Sequence, residues 1–177
     1  MARIPLPTRE SLPEELHGRW DRVASRGSIL DVQRLFFANP ALDVNALAAW
    51  RASGLGDRAR EIVILRCAAR QESVYEWHQH VRIARGVGLT DVEINAVRAW
   101  QDANCFSPDE RALLAYVDDL ATLKQPANAV YEAFAKDRSA ADILGVTYLI
   151  TLYFQLARIM AVMELEPEAP FVGWEVG

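Results

Sequence analysis

Cysteine is scarce in this chain of 177 residues: only Cys67 and Cys105 occur, far apart and in neither Cys-x-x-Cys nor metal-ligand spacing. A disulfide framework is therefore not what holds the protein together, and both residues read as small buried apolar groups kept as free thiols in a reducing compartment. An excess of basic residues is missing too. Lysine plus arginine number 19 against 24 aspartates and glutamates, a net charge of -5, and the cations are scattered without interleaved aromatics, which argues against a nucleic-acid partner. Histidine is limited to three residues. The two close together, His78 and His80, diverge by about 200° on a helix and cannot converge on one ion, so no metal is expected. The N-terminal MARIPLPTRESLPEEL has three prolines and charges where an export signal needs an unbroken apolar stretch, so a cytoplasmic location is expected. Strand signals hardly appear, and no linker-like or low-complexity segment divides the chain.

What is present suffices for one domain spanning 1–177, with an N-terminal arm at 1–27, a core at 57–95 and a tail at 167–177. A chain of this length buries about 70% of its unfolded surface, enough for a core without metal or disulfide. Five helix starts recur, each a hydroxyl residue followed three later by an acid: Ser28 with Asp31, Ser73 with Glu76, Thr90 with Glu93, Ser107 with Glu110, and Ser139 with Asp142. In each the hydroxyl can accept from a first-turn N–H while the acid reaches back to the cap. With Gly54, Gly56, Gly86, Gly88, Pro40 and Pro126 as punctuation, they predict an all-α fold with helices near 10–24, 29–38, 43–53, 57–70, 74–86, 91–103, 108–123, 127–136 and 140–164. The apolar run Ile143 to Ala157, ILGVTYLITLYFQLA, is shorter than the roughly 20 residues a bilayer requires. No membrane partner is expected, and the run reads as a subunit interface or a core helix. The polar N-terminal arm reads as loosely attached, and the tail EAPFVGWEVG as docked on a surface.

The stretch SVYEWHQH, Ser73 to His80, concentrates the chemistry. On a helix starting at Ser73, residues 73, 76 and 80 share one face at about 100° per residue, while Val74, Trp77, Val81 and Ala84 fill the neighbouring face. A carboxylate and an imidazole one turn apart, at a positively polarised helix start, can exchange a proton or orient one another. The plainer reading stands beside it: Ser73 and Glu76 form a capping box, His78 is a surface residue, and Tyr75 is a packed ring.

Arg60 to Ile94, REIVILRCAARQESVYEWHQHVRIARGVGLTDVEI, resembles the core motif of the carboxymuconolactone decarboxylase and alkylhydroperoxidase D-like superfamily, the likeness extending over about residues 40–125. The resemblance implies a helical fold and assembly as a homo-oligomer, a trimer or hexamer, through long apolar helices. In the peroxidase branch a glutamate is followed twelve residues on by Cys-x-x-Cys and then by a histidine four after the second cysteine. Here Glu61 takes the glutamate position, Ser73 and Glu76 the two cysteine positions, Tyr75 that of an accessory histidine, and His80 the final histidine. Neither serine nor glutamate can pass through a sulfenate or a disulfide, so thiol peroxidase activity is not expected. The decarboxylase branch, by resemblance, works without cofactor on a carboxylated γ-lactone. Its implied site places His80 as proton donor or oxyanion partner, Glu61 orienting it, Glu76 as second acid or base, and Tyr75 donating to a carbonyl. Ser73, Arg82 and Arg85 are the candidate contacts to a small-molecule substrate; both arginines also read as ordinary solvated helix charges. A non-catalytic oligomeric binding or scaffold protein is the rival expectation.

Overall fold

The computed structural model describes residues 2–42, 45–122 and 125–177, and all regular structure among them is helical. In chain order the helices are α1 (Glu14–Ala24), α2 (Asp31–Phe37), α3 (Ala46–Ala52), α4 (Asp57–Arg70), α5 (Val74–Gly86), α6 (Asp91–Ala96), α7 (Pro108–Thr122), α8 (Asn128–Ala135) and α9 (Ala140–Val162), with short 3-10 turns at Arg9–Ser11 and Val97–Asp102. Three expected starts are built as reciprocal caps. Thr90 and Glu93 close α6 at 2.9 and 3.3 Å. Ser107 and Glu110 close α7 at 2.8 and 3.2 Å, and Ser139 and Asp142 close α9 at 3.3 and 3.2 Å.

Elsewhere the local signals are overridden. Ser28 does not cap, because α2 starts at Asp31 after Leu30. The expected helix over 91–103 breaks at Ala99, whose φ of -128° and ψ of 49° are not helical. Of the helix expected over 43–53, Asp43 and Val44 lie outside the described residues, and α3 begins where the Asn45 side chain accepts from Ala48 N at 2.9 Å. Leu123, the expected end of α7, also lies outside them.

Helix α4 is the central element. Residues 60–68 are all buried, because α4 is covered on two sides. One side carries Val63, Ile64 and Cys67 into a cluster with α7 and α9, and the other carries Ile62, Leu65 and Ala68 against Trp77, Val81 and Ala84 of α5. An acid within this stretch is therefore in the interior and must be partnered. That is how Glu61 comes to be fully buried.

Helix α9 is long and apolar enough to cross a bilayer by length and composition, yet half of its most apolar window is buried against the protein. Val146, Leu149, Ile150 and Tyr153 face the core, whereas Leu144 and Tyr148 remain 70% and 52% exposed. At Gly145 the helix meets the end of α3 so closely that a Cβ would lie 1.8 Å from Ala52 O. Gly145→Ala gains about 1 kcal/mol of helix propensity but pushes two backbones apart. A net destabilisation of roughly 2 kcal/mol or more is expected in urea unfolding; unchanged stability would show that α3 yields freely.

Both termini are tied down, which corrects the loose-arm expectation. Arg3 N donates to Met163 O at 2.9 Å, and the Arg34 guanidinium holds Pro7 O and Leu6 O at 3.0 and 3.1 Å. The tail docks on its own chain: Trp77 Nε1 donates to Gly173 O at 2.9 Å, and Asn95 exchanges two hydrogen bonds with Val176 at 2.8 and 2.9 Å.

Candidate active site

The α4–α5 hairpin sets the site. Helix α4 ends at Arg70, Glu72 turns the chain in the left-handed region at φ 51°, and Ser73 N bonds Ala68 O at 2.9 Å to start α5. This return brings His80 of α5 against Glu61 of α4, with His80 Nδ1 2.7 Å from Glu61 Oε2. A carboxylate can only accept, so Nδ1 carries the proton of that bond. The second carboxylate oxygen, Oε1, accepts from Arg60 Nε at 3.0 Å. Arg60 is held in turn by Asp57 at 2.6 Å and by the face of Trp50, 4.6 Å from its ring centroid.

Two aromatic edges frame the imidazole: Tyr153 at 5.2 Å and Trp50 at 6.1 Å between centroids. They are locked together by Trp50 Nε1 donating to Tyr153 OH at 2.7 Å. Burial, opposed by that donation, pushes the Tyr153 hydroxyl well above its ordinary value, and the carboxyl groups of Glu76 and Glu61 push the same way. Tyr153 is therefore a neutral hydrogen-bonding group. His80 Nε2 has no partner among the described residues and is not among their sealed, unpartnered atoms. The ring is thus fixed through one nitrogen and free to act through the other.

Glu76 is the anomaly. It is 3% exposed, and both carboxyl oxygens are buried without a hydrogen-bond partner. Burial raises its proton affinity well above the ordinary glutamate range, and the Ser73 hydroxyl, which faces the carboxyl but lies outside hydrogen-bonding geometry, opposes this without cancelling it. A lone buried carboxylate is costly, so the fold favours the protonated form of Glu76. Burial first, and Glu76 second, also push up the Cys67 thiol. Cys105, expected to be buried, is exposed.

Several expected site residues are elsewhere. The Ser73–Glu76 capping box does not form, since Ser73 makes no side-chain cap bond and the Glu76 carboxyl is turned inward. Tyr75 points away from His80: its hydroxyl donates to the Glu168 carboxylate and accepts from Val32 N at 3.2 Å. Arg82 is exposed, and Arg85 is exposed and paired with Asp91 at 2.7 Å, so neither reaches His80. His78 Nδ1 accepts from Val172 N of the tail at 3.3 Å. Among the described residues no three His, Cys, Asp or Glu side chains gather as a metal site requires.

Residues 37–119 match the model of the carboxymuconolactone decarboxylase family. Over that stretch, a little under half of its length, the chain is similar to this family. Its fold extends the likeness over nearly the whole chain. An uncharacterized peroxidase-related protein from Ralstonia eutropha JMP134, with an alkylhydroperoxidase AhpD core, has a TM-score of 0.79 at 18% identity, covering 99% of this chain and 97% of that one. An uncharacterized peroxidase-related protein from Silicibacter sp. TM1040 has a TM-score of 0.78 at 14% identity, covering 97% and 94%. A cysteine-to-alanine variant of the debrominase Bmp8 in complex with 2,3,4-tribromopyrrole has a TM-score of 0.73 at 16% identity, covering 96% and 95%. No curated protein sequence matches the chain. At these identities the structures show the fold.

In this chain Glu61 and His80 are brought together, while Ser73 and Glu76 occupy the start of α5. The residues that sequence reasoning missed are Arg60, Trp50 and Tyr153. Arg60 stands beside Glu61 in REIVIL, where neighbouring charges usually point apart on a helix. Trp50 and Tyr153 lie 103 positions apart, and Tyr153 hides inside an apolar run that reads as packing.

Proposed function

We propose that this protein is a cofactor-independent lyase or isomerase of the decarboxylase-like kind, moving a proton on a small carboxylated or lactone-like metabolite. The observation that carries this reading is the buried His80–Glu61 bond of 2.7 Å, which leaves His80 Nε2 without a partner among the described residues. In a decarboxylation the C–C bond to the carboxylate breaks, carbon dioxide leaves, and the electron pair passes into the adjacent carbonyl as an enolate. A proton then returns from His80 Nε2 to carbon, and solvent restores it. Glu61 orients the ring and stabilises its cationic form; Glu76, holding its own proton, serves as the second acid. Thiol peroxide reduction is disfavoured, because Cys67 is sealed in the core with its thiol pushed up, and Cys105 stands at the surface. We place the protein in the cytoplasm as a single-domain homo-oligomer, with the open α9 face around Leu144 and Tyr148 as the assembly surface.

The rival reading is an oligomeric scaffold that has lost its chemistry. It is favoured by the position of two cavities, of about 410 and 570 Å³, whose lining residues do not include His80 or Glu61. The experiment is incubation with γ-lactone acids and related keto acids in deuterium oxide, followed by mass spectrometry and carbon dioxide detection. Deuterium at the α-carbon of substrate or product is expected. Complete silence across such a panel favours the scaffold, and robust dithiol-dependent turnover of an organic hydroperoxide would falsify the loss of thiol chemistry.

A further inference from the structure

In the proton transfer His80 serves the carbon atom, and the oxygen that takes up the electron pair needs a hydrogen-bond donor of its own. Most donors around the imidazole are already in use. Trp50 Nε1 is spent on Tyr153 OH at 2.7 Å, Arg60 Nε and Nη1 on Glu61 and Asp57 at 3.0 and 2.6 Å, and His80 Nδ1 on Glu61 at 2.7 Å. Tyr153 is different. Its oxygen accepts from Trp50, but its own O–H donates to no acceptor among the described residues, and Glu76 does not take it, since both Glu76 oxygens lack a partner.

The other buried tyrosines do spend their protons. Tyr75 donates to Glu168. Tyr116 donates to Thr147 Oγ1 at 2.9 Å, because the Thr147 hydroxyl gives its own hydrogen to Ile143 O at 2.7 Å. Tyr153 is as buried as these, at 3% exposure, and its ring stands edge-on to the imidazole. Its burial, with Glu76 and Glu61 pushing the same way, keeps the proton on the phenol, so the group donates a hydrogen bond and does not ionise. The N–H of Trp50 fixes the phenol oxygen and strengthens the bond it can donate, as links in a hydrogen-bond chain do. Trp50 is itself held under the Arg60 guanidinium, 4.6 Å from its ring centroid. In a site screened from water such a donor is worth more than in solution.

We propose that Tyr153 is a catalytic residue whose hydroxyl holds the carbonyl oxygen of the substrate and of its enolate, with Trp50 as the positioning residue behind it. The inference rests on the proton-transfer reading and completes it. As the bond at the α-carbon breaks, its electron pair comes to rest on an oxygen that accepts from Tyr153 O–H. His80 Nε2 exchanges the proton at carbon, and the phenol keeps its own throughout.

Tyr153→Phe keeps the ring and loses only the hydroxyl, and Trp50 is half-buried, so its freed N–H regains water. In the deuterium assay kcat is expected to fall by about 100- to 1,000-fold with KM within about threefold, the pattern of a contact made chiefly in the transition state. Trp50→Phe, which leaves Tyr153 in place, is expected to lose about 5-fold. The double variant is expected to be no slower than Tyr153→Phe alone, because Trp50 acts through the hydroxyl. A second arm needs no turnover: 4-nitrophenolate, a planar anion with its charge on one oxygen, is titrated calorimetrically into both proteins. It is expected to bind wild type at least about 10-fold tighter than Tyr153→Phe, whereas nitrobenzene binds both alike. Undiminished kcat in Tyr153→Phe, or equal affinity of the two proteins for 4-nitrophenolate, overturns the proposal. A silent deuterium assay alongside Tyr153-dependent binding of 4-nitrophenolate defeats the proton-transfer reading and leaves the donor in place; exchange that survives intact in Tyr153→Phe does the reverse.

Discussion

His80→Ala is expected to lower the rate of α-deuterium exchange by roughly 100- to 10,000-fold while the protein keeps its fold. The range is what a positioned general acid contributes. The fold survives because the groups around the imidazole keep their partners. Glu61 retains Arg60 at 3.0 Å, and Trp50 retains Tyr153 at 2.7 Å. Glu61→Gln separates orientation from proton transfer. The amide still occupies the site beside Nδ1 but cannot stabilise an imidazolium by charge, so a loss smaller than that of His80→Ala is expected, together with a shifted pH–rate profile. Exchange in His80→Ala equal to wild type would remove the imidazole from the reaction, whatever its geometry.

The contribution of Glu76 to stability is expected to fall as pH rises above about 5, and Glu76→Gln to remove that contribution. The sign follows from the raised proton affinity of Glu76 in the fold. Below the ordinary glutamate range, near 4.5, both folded and unfolded chains hold the proton and stability is fully present. Between that value and the higher folded one, the unfolded chain releases the proton and the folded chain keeps it. Each pH unit in this window then costs about a factor of ten in the folding equilibrium. Once pH passes the folded value the loss is complete. Glutamine matches the shape of the neutral acid and cannot ionise, so the difference between the two proteins, measured by urea unfolding from pH 4 to pH 8, isolates this group. Parallel stability curves would mean that Glu76 is ionised and paired in solution.

These results bear on why a costly group is kept. An apolar side chain at position 76 would pack without leaving two buried oxygens unsatisfied, a cost of about 1–3 kcal/mol. Glu76 sits one turn from His80 and faces the Ser73 hydroxyl, so the instability is concentrated where the proposed proton transfer takes place.

Helix identity was legible from short stretches. The reciprocal caps at Thr90, Ser107 and Ser139 and the glycine breaks are local chemistry, decided by residues within one turn. The face shared by Glu76 and His80 follows from helical spacing alone, and the superfamily motif is linear. The exceptions show where local reasoning ends. At Ser73 and Glu76 the same hydroxyl-acid spacing that builds three caps builds none, because burial of this face against α4 and α9 outweighs a cap worth about 1 kcal/mol. Tyr75 is drawn outward by Glu168 of the tail, 93 positions away.

The sequence by itself thus determined that this is a chain of helices, where most of them begin, and that one helix start carries an acid and an imidazole on a common face. Only the tertiary structure decided that His80 meets Glu61, that Arg60, Trp50 and Tyr153 enclose the pair, and that Glu76 is left buried without a hydrogen-bond partner. The physical reason is range. Capping and periodicity act within a turn, whereas partnership and desolvation depend on which distant segments cover a side chain, and here they come from α3, α4 and α9.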